Sequence, residues 1–234
     1  GTGDSGAHQT NAYIEDSSVI ASRNVNIMAS ASERIEADVF SGSVAIAIGI
    51  GGAMAGAGAS AVNTVNSDVQ AYSRNSDLGA EGDIDVRAVS DTQITRSDVI
   101  GVAVSGGLVS ATIAVSINQN TIENDVDAFI NNTGGAASLI SANGSLSVVA
   151  EVVAADITAS AETASVSAGW YGVSGGGIEI TNLVDNTVDA ALRGNLQVNT
   201  VGDIEIRADE NSYLSAEAKS LTASFSLGAA VGAS

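Results

Sequence analysis

The chain has 234 residues and carries 27 acidic against 8 basic side chains, a net charge of −19. That balance repels nucleic acid and anionic lipid, so neither is expected as a partner. The absence of cysteine excludes a disulfide framework and thiol chemistry, and the absence of proline fits long hydrogen-bonded strands, because proline cannot donate to a ladder.

The opening "GTGDSG" at Gly1–Gly6 is only a faint likeness of a calcium-binding glycine turn, and His8, the sole histidine, stands beside it without a cysteine to share a zinc ion. No basic segment followed by an apolar one opens the sequence, so no secretory leader is expected within it. From Ser41 to Ser67 there is no charge, and "VAIAIGIGGAMAGAGASAV" is long enough to imitate a membrane helix. Its pattern is a strand's instead. Val44, Ile46, Ile48 and Ile50 alternate with Ala and Gly at a period of two, then Gly51-Gly52 interrupts. Similar uncharged stretches follow at Val99–Ile122 and Thr163–Ile178, and all three are expected to be buried or stacked strands, with no membrane span.

Between them lie the charged strands. "EGDIDVRA" at Glu81–Ala88 places Ile84, Val86 and Ala88 on one face and Asp83, Asp85 and Arg87 on the other, after a Gly-Asp turn. Alternation continues to Gly106-Gly107, and a return run puts Val109, Ala111, Ile113, Val115 and Ile117 on one face. Between Ile117 and Ile122 the apolar positions change parity, which predicts a bulge or corner around Asn118 and Asn120. "VGDIEIRA" at Val201–Ala208 repeats the Gly-Asp phrase. No run is convincing as a helix.

The recurrence is general. The alanine ending that phrase has counterparts at Ala29, Ala88, Ala150 and Ala208, spaced by 59, 62 and 58 residues. Ala12-Tyr13, Ala71-Tyr72, Ala128-Phe129 and Ala190-Ala191 form a second marker, and an Asn-led phrase at Asn63, Asn120 and Asn182 precedes it. Three markers in one order with one period predict four structural units of about 60 residues. They run approximately over 12–70, 71–127, 128–189 and 190–234, the last continuing into 1–11 of a neighbouring copy. The fold is expected to be all-β: a β-solenoid in which each unit makes two or three coils, or else stacked antiparallel hairpins around the Gly-rich tips. Asn63, Asn120 and Asn182 are structural corners whose amides can bond their copies in the next coil. Gly106 and Gly107 are corners where bulk is expected to hold strands apart.

Phrases such as "AYIEDSSVIASRNVNIMAS" and "INQNTIENDVDAFINNTGG" resemble the repeats of very large bacterial filamentous adhesins, the hemagglutinin-like and leukotoxin-type proteins, across essentially the whole chain. The resemblance implies a secreted, cell-surface, β-rich fibre and transfers no catalytic residue. The first copy departs from it, since "GTGDSGAHQTNAYI" lacks the Asn-Thr-Val phrase.

Three roles follow as expectations. A structural fibre module polymerises head to tail, with Ser220–Ser234 packing against the N-terminal stretch of the next copy. An adhesive module binds glycans or surfaces through Trp170 and Tyr171, the one adjacent aromatic pair. A polysaccharide-active enzyme needs paired carboxylates in a cleft, whereas Asp83/Asp85 and Asp203/Glu205 form an outward stripe, so no enzymatic activity is expected. Weak calcium binding at those four acids is the remaining cofactor expectation.

Overall fold

The computed structural model describes residues 7–234, so the Gly1–Gly6 turn lies outside the described residues. Ten strands occupy nearly all of the chain: β1 (His8–Glu15), β2 (Ser18–Ala21), β3 (Val25–Ile46), β4 (Gly52–Arg74), β5 (Asp77–Ala80), β6 (Ile84–Asn132), β7 (Ser138–Ala142), β8 (Leu146–Gly194), β9 (Leu196–Thr200) and β10 (Ile204–Ala233). No helix is present among the described residues, and so none long and apolar enough to cross a membrane.

Every strand pair is parallel, and every partner is one repeat away. Ala12 faces Ala71, Ala71 faces Ala128 and Ala128 faces Ala190, while Ala29, Ala88, Ala150 and Ala208 form a second such file. Parallel pairing at an offset of one repeat means that each repeat makes one turn of a β-solenoid. The expected two or three coils per repeat are therefore corrected to one, and antiparallel hairpins do not form.

A coil has three sides. An outgoing arm (β3, the first half of β6 and of β8, and β10 as far as Ser226) runs to the Gly-rich tip, and a return arm (β4, the second halves of β6 and β8, and Ala229–Ala233 of β10) comes back. A short third side (β2, β5, β7, β9) forms its own four-stranded sheet at the base. The two arms of a coil meet through side chains: Ser97 Oγ donates to Asn118 Oδ1 across the interior at 2.7 Å.

The interior tapers. At the base, where the third side holds the arms apart, it is filled by Leu78, Ile84, Ile94, Ile122, Ile130, Ile140 and Leu146, all fully buried. Toward the tip Ala53, Ala55, Ala57, Ala103 and Ala114, with Ser and Thr, lie inside. A methyl built on Gly101 would come within 3.1 Å of Ser116 Oγ and 3.2 Å of the Val115 carbonyl, so the arms there leave no room for larger side chains.

This narrowness reverses one expectation. The uncharged stretches are stacked strands, but their large apolar side chains point outward. Ile48 and Ile50 are 97% and 94% exposed, and Val44, Ile46, Val109 and Ile113 also face out. Ser110, Thr112, Ala114 and Ser116 take the inward positions of the return arm. The parity change between Ile117 and Ile122 is consequently only apparent. Ser116, Asn118, Asn120, Ile122, Val126 and Ala128 all point inward, in one unbroken alternation. Register shifts lie elsewhere, between Ser90 and Asp91 and between Ile94 and Ser97, so Asn118 and Asn120 sit in mid-strand and not at a corner.

Candidate functional site: ladders, brackets and open edges

What the repeat places in register is a set of contacts from coil to coil. The Gly-Asp phrase is a bracket. Asn24 Oδ1 accepts the N–H of Asp83 at 3.0 Å, Asp83 Oδ1 accepts that of Ser145 at 2.8 Å, and Ser145 Oγ accepts that of Asp203 at 3.2 Å. Each polar side chain thus holds the backbone of the next coil at the start of its strand. The residue before it must be glycine in the lower coils, because a Cβ on Gly82, Gly144 or Gly202 would collide with Asn24 Oδ1, Asp83 Oδ1 or Ser145 Oγ.

Asn63, Asn120 and Asn182 form a second line. Asn63 Nδ2 donates to Asn120 Oδ1 at 2.8 Å, and Asn120 Nδ2 donates to Asn182 Oδ1 at 2.9 Å. Asn118 ties this ladder to the opposite arm by donating to the Ser97 and Ser160 carbonyls at 2.6 and 2.9 Å. A shorter ladder, Asn124 to Asn186 at 2.9 Å, runs beside it and also receives the hydroxyls of Ser90 and Thr92. Asn118, Asn120 and Asn124 are buried and Asn63, Asn182 and Asn186 half-buried, so an unmade hydrogen bond is expensive in the middle coil above all.

The Ala-aromatic marker is a stack. Tyr13, Tyr72 and Phe129 lie nearly parallel, with centroids 5.3 and 5.0 Å apart, and Arg74 covers Tyr72 at 4.8 Å. Burial, helped by the nearby Glu15 carboxylate, raises the Tyr72 phenol pKa. Four of the basic residues also bridge coils: Arg74 to Glu15 at 2.7 Å, Arg87 to Glu151 at 2.6 Å, Arg96 to Asp38 at 3.1 Å and Lys219 to Glu162 at 3.5 Å.

The corner missed in the sequence is the one between the return arm and the third side. Asp16 and Asn75 adopt left-handed φ values of 46° and 49°, and Gly194 reaches 81° at the same place in its coil. Asp, Asn and Gly are the residues that tolerate this conformation. A shared signal, Asp16-Ser17, Asn75-Ser76 and Gly194-Asn195 directly after the return arm, was there to be found.

The remaining candidates are not brought together. Asp85 and Glu205 both lie opposite Ser147, so they are separated by a whole coil, and Asp83 and Asp203 flank Ser145 in the same way. Two rungs are about 9.6 Å, too far for one ion, and no group of three metal-ligating side chains that could hold one occurs among the described residues. Gly107 packs beneath Ala47 and Gly51, whereas Gly106 has no atom nearer than 3.9 Å to a built Cβ. Trp170 and Tyr171 are half-exposed at the third coil's tip. Tyr171 lies between Val109 and Ala229, and Trp170 rests on Gly228. They belong to the apolar tip. His8 pairs with Ser67 at the start of β1.

Acids also stack on acids. Asp68 faces Asp125 and Asp127 faces Asp189 across single rungs. Burial, with repulsion from Asp68, raises the pKa of Asp125, and burial with repulsion from Asp125 raises that of Asp127. Asp98 is shifted down, chiefly by the Ser160 hydroxyl that donates to it at 2.6 Å, with Arg96 adding to the effect.

Both ends of the stack are open among the described residues. β3 and the Gly52–Asn66 part of β4 pair only with β6, while β10 and the 176–194 part of β8 pair on one side only. No family model, curated protein or solved structure matches the chain.

Proposed function

We propose that this chain is a structural module of an extracellular bacterial filament or surface fibre, extended head to tail by further coils that settle on its two open edges. The observation that carries the reading is the complementarity of those edges. One edge of the stack presents β10, which rounds the tip as far as Ala233, followed by the bare 176–194 return arm of β8. The first coil begins with the end of a return arm, β1, and a bare outgoing strand, β3. A second copy, or further coils of a longer chain, would continue the file Ala150–Ala208 with Ala29 and the file Ala128–Ala190 with Ala12. The resemblance to filamentous adhesin repeats supports both the fibre and its place outside the cell. Asn63, Asn120 and Asn124 direct their amide donors to the next coil, as a scaffold requires, while the buried hydroxyls of Ser105, Ser110, Thr112 and Ser165 near the tip have no partner.

Leu146 donates its N–H to Asp203 in the next coil. In a parallel ladder the same phase repeats every second residue, so Ile204, Ile206 and Ala208 aim their N–H groups at the open edge. Ile206→Pro removes a donor from that edge without breaking an internal ladder bond. Concentrated protein is expected to form filaments in sedimentation and negative-stain microscopy, and Ile206→Pro to abolish them. A parent chain that stays a discrete monomer at high concentration would sink the head-to-tail reading.

A further inference from the structure

The outer surface of the return arm near the tip has an unusual relief. In the second coil, Ile113 and Val115 stand outward as a ridge, 62% and 37% exposed. The register puts Gly56 and Gly175 on either side of Ile113, and Gly58 and Gly177 on either side of Val115. The ridge is therefore flanked by two channels floored with glycine. Nothing inside the fold asks for those glycines. A Cβ on Gly58 or Gly177 would meet no atom within 4 Å, and one on Gly56 or Gly175 would meet only a carbonyl at 4.0 or 3.9 Å. Glycine weakens a strand and, inside one, often marks a place where another backbone comes close.

We propose that this flank is a lateral contact surface for a second copy of the chain, each ridge seated in a glycine channel of the other. A two-fold face-to-face pairing opposes the second coil of one copy to the third coil of its partner, and the reverse, so one operation seats both ridges, each in the Gly175–Gly177 channel of the other copy. The surface suits a like partner electrostatically. The chain carries −19, yet the return arms from Gly52 to Asn66, Leu108 to Ile122 and Tyr171 to Ile178 are uncharged. Two copies repel elsewhere and meet here without opposing carboxylates. The three return arms, each of roughly ten residues, cover about 480 Å² per copy. That equals the largest apolar patches of monomers, which are often functional, and falls below the ~800 Å² per partner of a standard interface, so a weak, concentration-dependent dimer is expected. A lipid bilayer fits less well, because the unpaired N–H and C=O groups of Gly52–Asn66 would enter hydrocarbon without partners. This contact is independent of axial growth, since it uses the side of the stack and not its ends.

The test uses the Ile206→Pro chain, in which axial growth is blocked, with Ile113→Lys to charge the ridge and Gly177→Leu to fill the third-coil channel. Both substitutions point into solvent, and circular dichroism should show the parent fold. Sedimentation velocity of the Ile206→Pro chain is expected to show a monomer–dimer equilibrium, and each added substitution to weaken it at least about tenfold. Should Ile206→Pro misfold, filament width in negative stain gives the same answer on the wild-type edge: paired for the parent, single for Ile113→Lys. The proposal is overturned by a monomer at every concentration with single-width filaments. Dimers indifferent to both substitutions would overturn it too, as would flotation with phosphatidylcholine vesicles that Ile113→Lys abolishes.

Discussion

Gly169 and Gly106 show how differently two tip glycines are used. A Cβ on Gly169 would run into the Gly107 carbonyl of the coil above, a backbone group that cannot swing aside, whereas Gly106 faces space. Gly169→Ala is expected to lower stability by more than about 2 kcal/mol, and Gly106→Val to change it by less than about 0.5 kcal/mol. Thermal unfolding of the two variants checks this, and equal losses would contradict the close approach at Gly169. Gly106→Val should then behave much like Asp85→Asn, contrary to what the sequence suggests. The stacked acids give a second expectation at this scale. The folded-state pKa of Asp125 is raised, so protonation favours the native state, and stability is gained as pH falls through that raised value toward the ordinary carboxylate range. Above it the ionised carboxylate meets Asp68 one rung away. Asp125→Asn should therefore stabilise the protein at neutral pH, by less than about 1 kcal/mol because the group remains in contact with solvent. The gain should vanish near pH ~4, where the aspartate is itself protonated. Asp98 has the opposite sign: its stabilising contribution is present above the ordinary value and is lost as pH falls through its lowered one. A melting-temperature profile against pH that shows no difference between Asp125→Asn and the parent would sink the first of these.

At the scale of elements, the asparagine ladder and the tapering arms explain each other. Where bulky aliphatics stop filling the coil, Asn118, Asn120 and Asn182 begin, spanning a gap too narrow for Leu and too wide for Ala alone. Asn120 is 1% exposed, donates to Asn118 and Asn182, and accepts from Asn63. Asn120→Ala leaves the Asn182 carbonyl without that donor, so a loss of about 1–3 kcal/mol is expected, read as a drop in the denaturant midpoint at unchanged slope. A neutral Asn120→Ala would mean that the ladder adds nothing to stability. The strands, the period and the coil-to-coil asparagines were legible because repetition made them so. The inward face near the tip was not. Val109 to Ile117 alternate with Ser, Thr and Ala, and apolar alternation alone names two faces without saying which is inside. The deciding clue was continuity: Ile122, Val126 and Ala128 share their parity with Ser116 and Asn118, so an unbroken strand must turn Val115 outward. The number of coils per repeat was hidden for a related reason. Bends inside a 49-residue strand such as β6 leave no proline or charged turn to mark them.

For the whole molecule, protection should follow the stack. β6 is paired along nearly its whole length on both sides, to β3 and β4 on one and to β8 on the other, while β10 has a single neighbour. In a solenoid each coil is stabilised by its own packing and by the interfaces to its neighbours. A coil with one interface therefore opens more often than a coil with two. The same inequality shows in burial. Ile84, Val86 and Ala88 of β6 are fully buried, whereas Ile204 and Ile206 of β10, at the same positions in their coil, are about half-exposed. Amide exchange followed by mass spectrometry on dilute protein is expected to be slowest in peptides from 84–104 and 116–130, and fastest in peptides from 204–233. The asymmetry between the ends supplies the control. If further coils settle on the open edge, β10 gains its missing neighbour, and its exchange should slow toward that of β6 as concentration rises, while β6 itself changes little. In the Ile206→Pro chain β10 should stay fast at every concentration. Uniform exchange across all four coils in dilute protein would show that the stack opens as one cooperative unit. Concentration would then have no edge to protect, because the end strands would be no weaker than the middle.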